Sequence, residues 1–146
     1  MIARHAFPNS SDDVSEHFDP YRAARMIKGP LSFRLALGLS QADMGRRLGR
    51  FTGKKAYTRS TLCDWERIER GQRQPLKYRM TDRAREAYRQ ILSELVEHSA
   101  GGRLSLRAHM GVRVWRFELW ATCKCGRAFR LRRARQVRCA VCLRFR

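Results

Sequence analysis

A chain of 146 residues has room for one modest domain and a small second one, and its 43% hydrophobic content suits a globular fold. Its formal net charge of +19 excludes a bland surface. Residues 1–29 sum to zero, 30–100 carry fifteen basic against eight acidic side chains, and 101–146 carry thirteen against Glu118 alone. Such an excess, held in two segments, is the footprint of a polyanion binder, with nucleic acid the leading partner. No stretch approaches the roughly 20 apolar residues of a membrane span. Met1-Ile2-Ala3-Arg4-His5 lacks the apolar core of a secretory signal, so a soluble cytoplasmic protein is expected.

Residues 1–19, with Pro8-Asn9-Ser10-Ser11-Asp12-Asp13, read as a mobile arm. From Pro20, the spacing of Tyr21, Ala24 and Ile27 predicts a short helix. Leu31, Phe33, Leu35, Ala36 and Leu37 predict a second, ended by Gly38. Ser40-Gln41-Ala42-Asp43 has the form of a capping box opening a third helix, with Met44 and Leu48 on one face and Gly49 as its stop. Thr58 or Ser60 caps a fourth helix carrying Leu62 and Trp65, and Gly71 and Pro75 punctuate its exit. Thr81-Asp82 opens a longer helix with Ala84, Tyr88, Ile91 and Leu95 at helical spacing. Gly101-Gly102 predicts a break, and residues 101–110 a linker. Beyond it, Val112, Val114, Arg116 and Glu118 alternate with Arg113, Trp115, Phe117 and Leu119, the period of a strand leading into Cys123, and short strands are expected near 128–132 and 136–138.

Four of the five cysteines follow as Cys123-Lys124-Cys125-Gly126 and Cys139-Ala140-Val141-Cys142. Paired thiols without an export signal favour a metal over disulfides. Four thiolates at Cys123, Cys125, Cys139 and Cys142 suit tetrahedral Zn²⁺, which supplies folding free energy to a segment too short to bury a core. The pattern resembles a zinc ribbon, although the first pair has one intervening residue where two are usual. His109 is a spare ligand or a surface residue. Trp115, Phe117 and Trp120 form either the module's core, the favoured reading, or a docking face. Arg130, Arg132 and Arg133 interleave with Phe129 and Leu131, as a nucleic-acid-facing surface requires.

The run from Leu35 through Leu39-Ser40-Gln41, Gly45 and Leu48-Gly49, followed by Arg59-Ser60-Thr61-Leu62-Cys63-Asp64-Trp65-Glu66-Arg67, resembles the phage-repressor (Cro/XRE-like) helix-turn-helix family over residues 30–80. The resemblance implies an ion pair between Arg34 and Glu66. It also implies a major-groove helix whose base readers are Arg59, Ser60, Thr61 and Asp64, and a phosphate clamp at Gln41. Arg73 is a further phosphate contact. The stretch 50–58 is longer than the family's turn. It is either a basic finger contacting phosphate through Arg50, Lys54 and Lys55 or a tolerated insertion. Ile68-Glu69-Arg70 extends the following stretch by most of a helical turn. Cys63 reads as a small, partly buried side chain in preference to a redox-sensing thiol.

The expected architecture is therefore mainly α: a repressor-like helix-turn-helix bundle over 20–100, then a small β zinc ribbon over 111–146. The expected activity is sequence-specific regulation of transcription on double-stranded DNA, in the cytoplasm at the nucleoid, as in regulators of phages and mobile elements. RNA polymerase or a second copy is a possible partner, and no small-molecule substrate or enzymatic activity is expected, because no carboxylate cluster is evident. The alternative is a zinc-ribbon accessory protein that binds RNA or RNA polymerase and uses its helices for protein interaction.

Overall fold

The computed structural model describes residues 18–53, 55–73, 79–99, 101–132 and 142. Most of the expected arm (1–17), Lys54, Arg133, Cys139 and the strand expected at 136–138 lie outside them. The described residues form α1 (Pro20–Met26), α2 (Pro30–Ala36), α3 (Gln41–Thr52), α4 (Arg59–Glu66), α5 (Asp82–Ser99), β1 (Leu104–Met110), β2 (Trp115–Thr122) and β3 (Ala128–Arg130). None of these helices is long and apolar enough to cross a membrane.

Local chemistry accounts for most of the boundaries. Asp19 caps α1 by accepting from the Tyr21 and Arg22 amides, so the last expected arm residues belong to the fold. Ser40 accepts from the Asp43 amide to open α3, and Thr58 accepts from the Thr61 amide to open α4. Gly38 takes a positive φ of 68° after α2. Glu69 caps α2 from 37 residues away. Its carboxylate accepts from the Leu31 and Ser32 amides, the latter at 3.0 Å, and from the Ser32 hydroxyl at 2.7 Å. A carboxylate at a helix N-terminus satisfies otherwise orphaned amides and complements the helix dipole. The Ile68-Glu69-Arg70 extension is thus turn rather than helix, and it serves α2.

Two expectations are corrected. Helix α3 runs through Gly49 and stops at Gly53, whose φ of 69° is left-handed and whose amide donates to the Gly49 carbonyl. Arg50, Phe51 and Thr52 are therefore its last turn rather than part of the loop. The residues expected as a linker contain β1, which pairs antiparallel with β2 from Leu104↔Ala121 to Met110↔Trp115. β3 pairs with the other edge of β2, giving the order β1-β2-β3.

One face of this sheet completes the helical core. Leu104, Trp115, Phe117 and Leu119 are buried in the same cluster as Phe33, Met44, Leu48, Leu62, Trp65 and Tyr88. Edge-to-face aromatic contacts join the layers: Phe33 to Tyr88 at 4.9 Å, Tyr88 to Trp115 at 5.1 Å and Trp115 to Phe117 at 6.3 Å. The Trp115 amide also donates to the Lys28 carbonyl at 3.0 Å, tying the start of β2 to the α1–α2 turn.

The α3–α4 connection is tight at one point. The Tyr57 amide donates to the Gly45 carbonyl at 3.1 Å, and a Cβ at Gly45 would sit 2.1 Å from the Tyr57 carbonyl oxygen. Gly45→Ala is expected to lower the urea midpoint, costing on the order of 1–3 kcal/mol from forced backbone displacement; an unchanged midpoint would show the connection to be loose.

The Tyr88 hydroxyl is buried with no hydrogen-bond partner among the described residues. Burial first, and the nearby Glu66 carboxylate second, push its pKa well above the ordinary 10.0. The folded state holds this proton more tightly than the unfolded one. Stability from this group is therefore complete below about pH 10 and declines above it, by about 1.4 kcal/mol per pH unit. Tyr88→Phe is expected to be neutral or stabilising near pH 7, and to unfold less steeply than the wild type above pH ~10 in paired urea titrations.

Candidate nucleic-acid interface and metal centre

The residues expected to act together fall into three places. The first surrounds the buried carboxylate of Glu66, which is 0% exposed. Arg34 donates to both of its oxygens, at 3.0 and 2.9 Å, and also to the Leu39 carbonyl at 3.1 Å. Arg70 reaches Glu66 Oε1 at 3.3 Å, and the Gln41 amide donates to the same oxygen at 3.4 Å. The expected Arg34–Glu66 pair is present, in the bidentate geometry that makes such bonds strong. Its hydrogen bonds to Glu66 hold the Arg34 pKa above the ordinary guanidinium value, against the opposing effect of burial.

Above this pair lies a concavity of about 500 Å³ lined by Arg34, Ser40, Gln41, Ala42, Arg59 and Arg70. It brings Arg59, the first residue of α4, beside the N-terminus of α3, where the helix dipole favours an anion. Ser60 is exposed next to Arg59. Thr61 is hydrogen-bonded through its hydroxyl to the Thr58 hydroxyl at 2.9 Å, and the Asp64 carboxylate is ion-paired with Arg67 at 3.1 Å. Arg70 was missed in the sequence as a member of this group. Its position one turn beyond Glu66 was the available signal.

Other expected contacts lie elsewhere. Arg73 and Lys55 are exposed in loops. Arg50 lines a separate cavity of about 610 Å³ with Phe51, Ile91, Leu95, His98 and Gly102, between the last turns of α3 and α5. Arg130 and Arg132 lie exposed at the end of the sheet, Arg130 within 3.4 Å of the Glu118 carboxylate. Cys63 is half-buried, as expected, with its sulfur 3.7 Å from an Arg70 nitrogen.

The third place is the cysteine turn. The Gly126 amide donates to the Cys123 carbonyl at 2.9 Å, and the Cys123 amide to the Arg127 carbonyl at 2.8 Å, with Gly126 at a φ of 88°. The turn brings the buried Cys123 and the exposed Cys125 together beyond the end of β2, with Cys142 beside them. The sulfurs of all three lie within 4.8 Å of one another, those of Cys123 and Cys142 at 3.5 Å. Cys123 is buried against Phe129, Ala121 and Leu131. Three convergent thiols on an apolar seat can hold a metal ion. His109 lies on the outer side of β1 in the pairing register with Arg116, outside this group.

No protein-family model, curated protein or solved structure gives a significant match to this chain.

Native mass spectrometry of the full chain is expected to show one divalent ion, and Cys123→Ser to weaken its binding by on the order of tenfold or more. A chain that stays metal-free when supplied with divalent ions would remove the site.

Proposed function

We propose that this protein is a sequence-specific regulator that binds double-stranded DNA by inserting the N-terminal half of α4 into the major groove. The observation that carries this reading is the concavity in which Arg59 meets the N-terminus of α3 above the Arg34–Glu66 pair. In a groove-bound helix the first turn faces base edges, and Arg59 then offers two donors to guanine O6 and N7. Ser60 and Thr61 flank it, and Asp64 exchanges Arg67 for a cytosine amino group. The start of α3, with Gln41, takes the adjoining phosphate, and Arg70 and Arg73 supply further charge. Arg50, Lys54 and Lys55, and Arg130, Arg132 and Arg133, are the further phosphate contacts of this reading. The net charge of +19 supports this arrangement through counterion release.

The metal in this reading is Zn²⁺, with Cys139 as the fourth ligand beside Cys123, Cys125 and Cys142. A zinc–thiolate bond of about 2.3 Å places tetrahedral sulfurs about 3.8 Å apart, a spacing that the described thiols approach. Soft thiolate donors alone also favour zinc over hard cations. The ion would fasten the basic tail to the end of the sheet. The protein then acts in the cytoplasm at the nucleoid, without catalysis, alone, as a homodimer or with RNA polymerase.

Selection from a random duplex pool is expected to enrich one motif that outcompetes random duplex by several hundred-fold, on the order of what specific regulators achieve. Arg59→Ala should relax one position of that motif at a cost of about 1–3 kcal/mol. No enrichment, or a motif unchanged in the variant, would overturn the reading.

A further inference from the structure

The inner face of the sheet is spent on the core, but its outer face has a composition of its own. Alternation along β1 puts Ser105, Arg107 and His109 outward, all exposed. Along β2 it puts out exposed Arg116, with Glu118 and Trp120 half-buried, and along β3 exposed Arg130. The register sets Arg107 opposite Glu118, His109 opposite Arg116, and Trp120 between Ser105 and Arg130.

At the centre is a stack. The Arg107 guanidinium carbon lies 3.6 Å from the centroid of the Trp120 ring. That ring is further fixed by its indole N–H, which donates to Glu118 Oε2 at 3.2 Å. Arg130 reaches the other Glu118 oxygen at 3.4 Å. The one carboxylate on this face is therefore engaged in positioning an aromatic ring and an arginine. Three guanidiniums, those of Arg107, Arg116 and Arg130, oppose it. An amphipathic face seeking a protein partner would show an apolar centre with a polar rim. This one shows a planar cation–aromatic stack within positive charge.

We infer that the outer face of the sheet binds single-stranded nucleic acid, with an unstacked base layered on the Arg107–Trp120 pair and the neighbouring phosphates held by Arg116 and Arg130. Duplex DNA keeps its bases stacked inside and offers no π-face to such a pair. A single strand offers one at each nucleotide, and sheet faces that combine aromatic rings with basic side chains suit it. A base sits on the open side of the guanidinium plane, which stacks as well on a nucleobase as on indole. The surface uses none of the α4 residues assigned to the duplex; it shares Arg130 with the proposed duplex phosphate contacts, while the Arg107–Trp120 stack belongs to it alone.

The test uses the full chain and a labelled oligothymidylate of about twelve nucleotides, within the span of known single-strand platforms. Binding followed by anisotropy should be accompanied by quenching of tryptophan fluorescence, and Trp120→Ala should weaken it on the order of five- to hundredfold and abolish the quenching. Arg107→Gln, a change at an exposed position, should weaken binding in the same direction with an unaltered melting temperature, which separates lost stacking from lost folding. Arg59→Ala should leave oligothymidylate affinity unchanged. Inorganic polyphosphate of matched charge supplies a base-free control and should be insensitive to Trp120→Ala. Three results would overturn the proposal: no oligothymidylate binding at low salt, equal affinity in the wild type and both sheet variants, or equal sensitivity of polyphosphate to Trp120→Ala. The duplex selection is read separately, so failure of either proposal leaves the other measurable.

Discussion

The buried carboxylate of Glu66 sets the geometry on which the helical layer depends. An unpaired charge in an apolar interior is costly, and removing one member of a buried pair typically costs about 3–5 kcal/mol. Glu66 is therefore tolerated only where Arg34 from α2, Arg70 after α4 and Gln41 at the start of α3 converge on it. Each donor comes from a different segment, so one acid fixes the mutual orientation of three helices. The Leu39 carbonyl, bound by the same Arg34, adds the α2–α3 turn. Hydrophobic contacts among Phe33, Met44, Leu62 and Trp65 supply the driving force beneath it. They are non-directional, whereas the guanidinium–carboxylate fork accepts one arrangement.

Reading this fold from the sequence succeeds where the determinant is local. Ser40 and Thr58 each lie three residues before the amide they cap, and the Trp115–Leu119 alternation repeats every second residue. It fails where a distant contact outweighs a local signal. Gly49 resembles a helix stop, yet it lies buried within α3, and the next turn buries Thr52 with its hydroxyl bonded to the Leu48 carbonyl. The break falls at Gly53, where the chain leaves the core. In the stretch 101–110, the glycine pair masks a legible alternation. Leu104, Leu106, Ala108 and Met110 face the core while Ser105, Arg107 and His109 do not.

The same distinction divides the candidate sites. Proximity of Cys123 and Cys125 follows from their spacing, but the approach of Cys142, 17 residues beyond Cys125, does not. The Arg34–Glu66 pair was accessible only through resemblance to a family, since 32 residues separate its members. Glu69 as the cap of α2 carried no signal, because a capping acid is ordinarily sought within a turn of the helix it serves. The stack of Arg107 on Trp120 depends on a register known only once β1 is placed beside β2.

The sharing of one core between helices and sheet has a consequence for how separable the tail is. Segments stapled by a metal ion fold with little core of their own, because the metal replaces it. Here Trp115 and Phe117, a few residues upstream of Cys123, are the far wall of the pocket that holds Phe33 and Tyr88. A cut between residues 110 and 111 would therefore unroof the helices rather than release a passenger. A tail grafted onto another scaffold would arrive without the surface its strand was shaped to cover. The sheet is built as an extension of the helical layer's own interior, so the orientation of β1 and β2 relative to the helices is inherited from packing instead of being left to a tether.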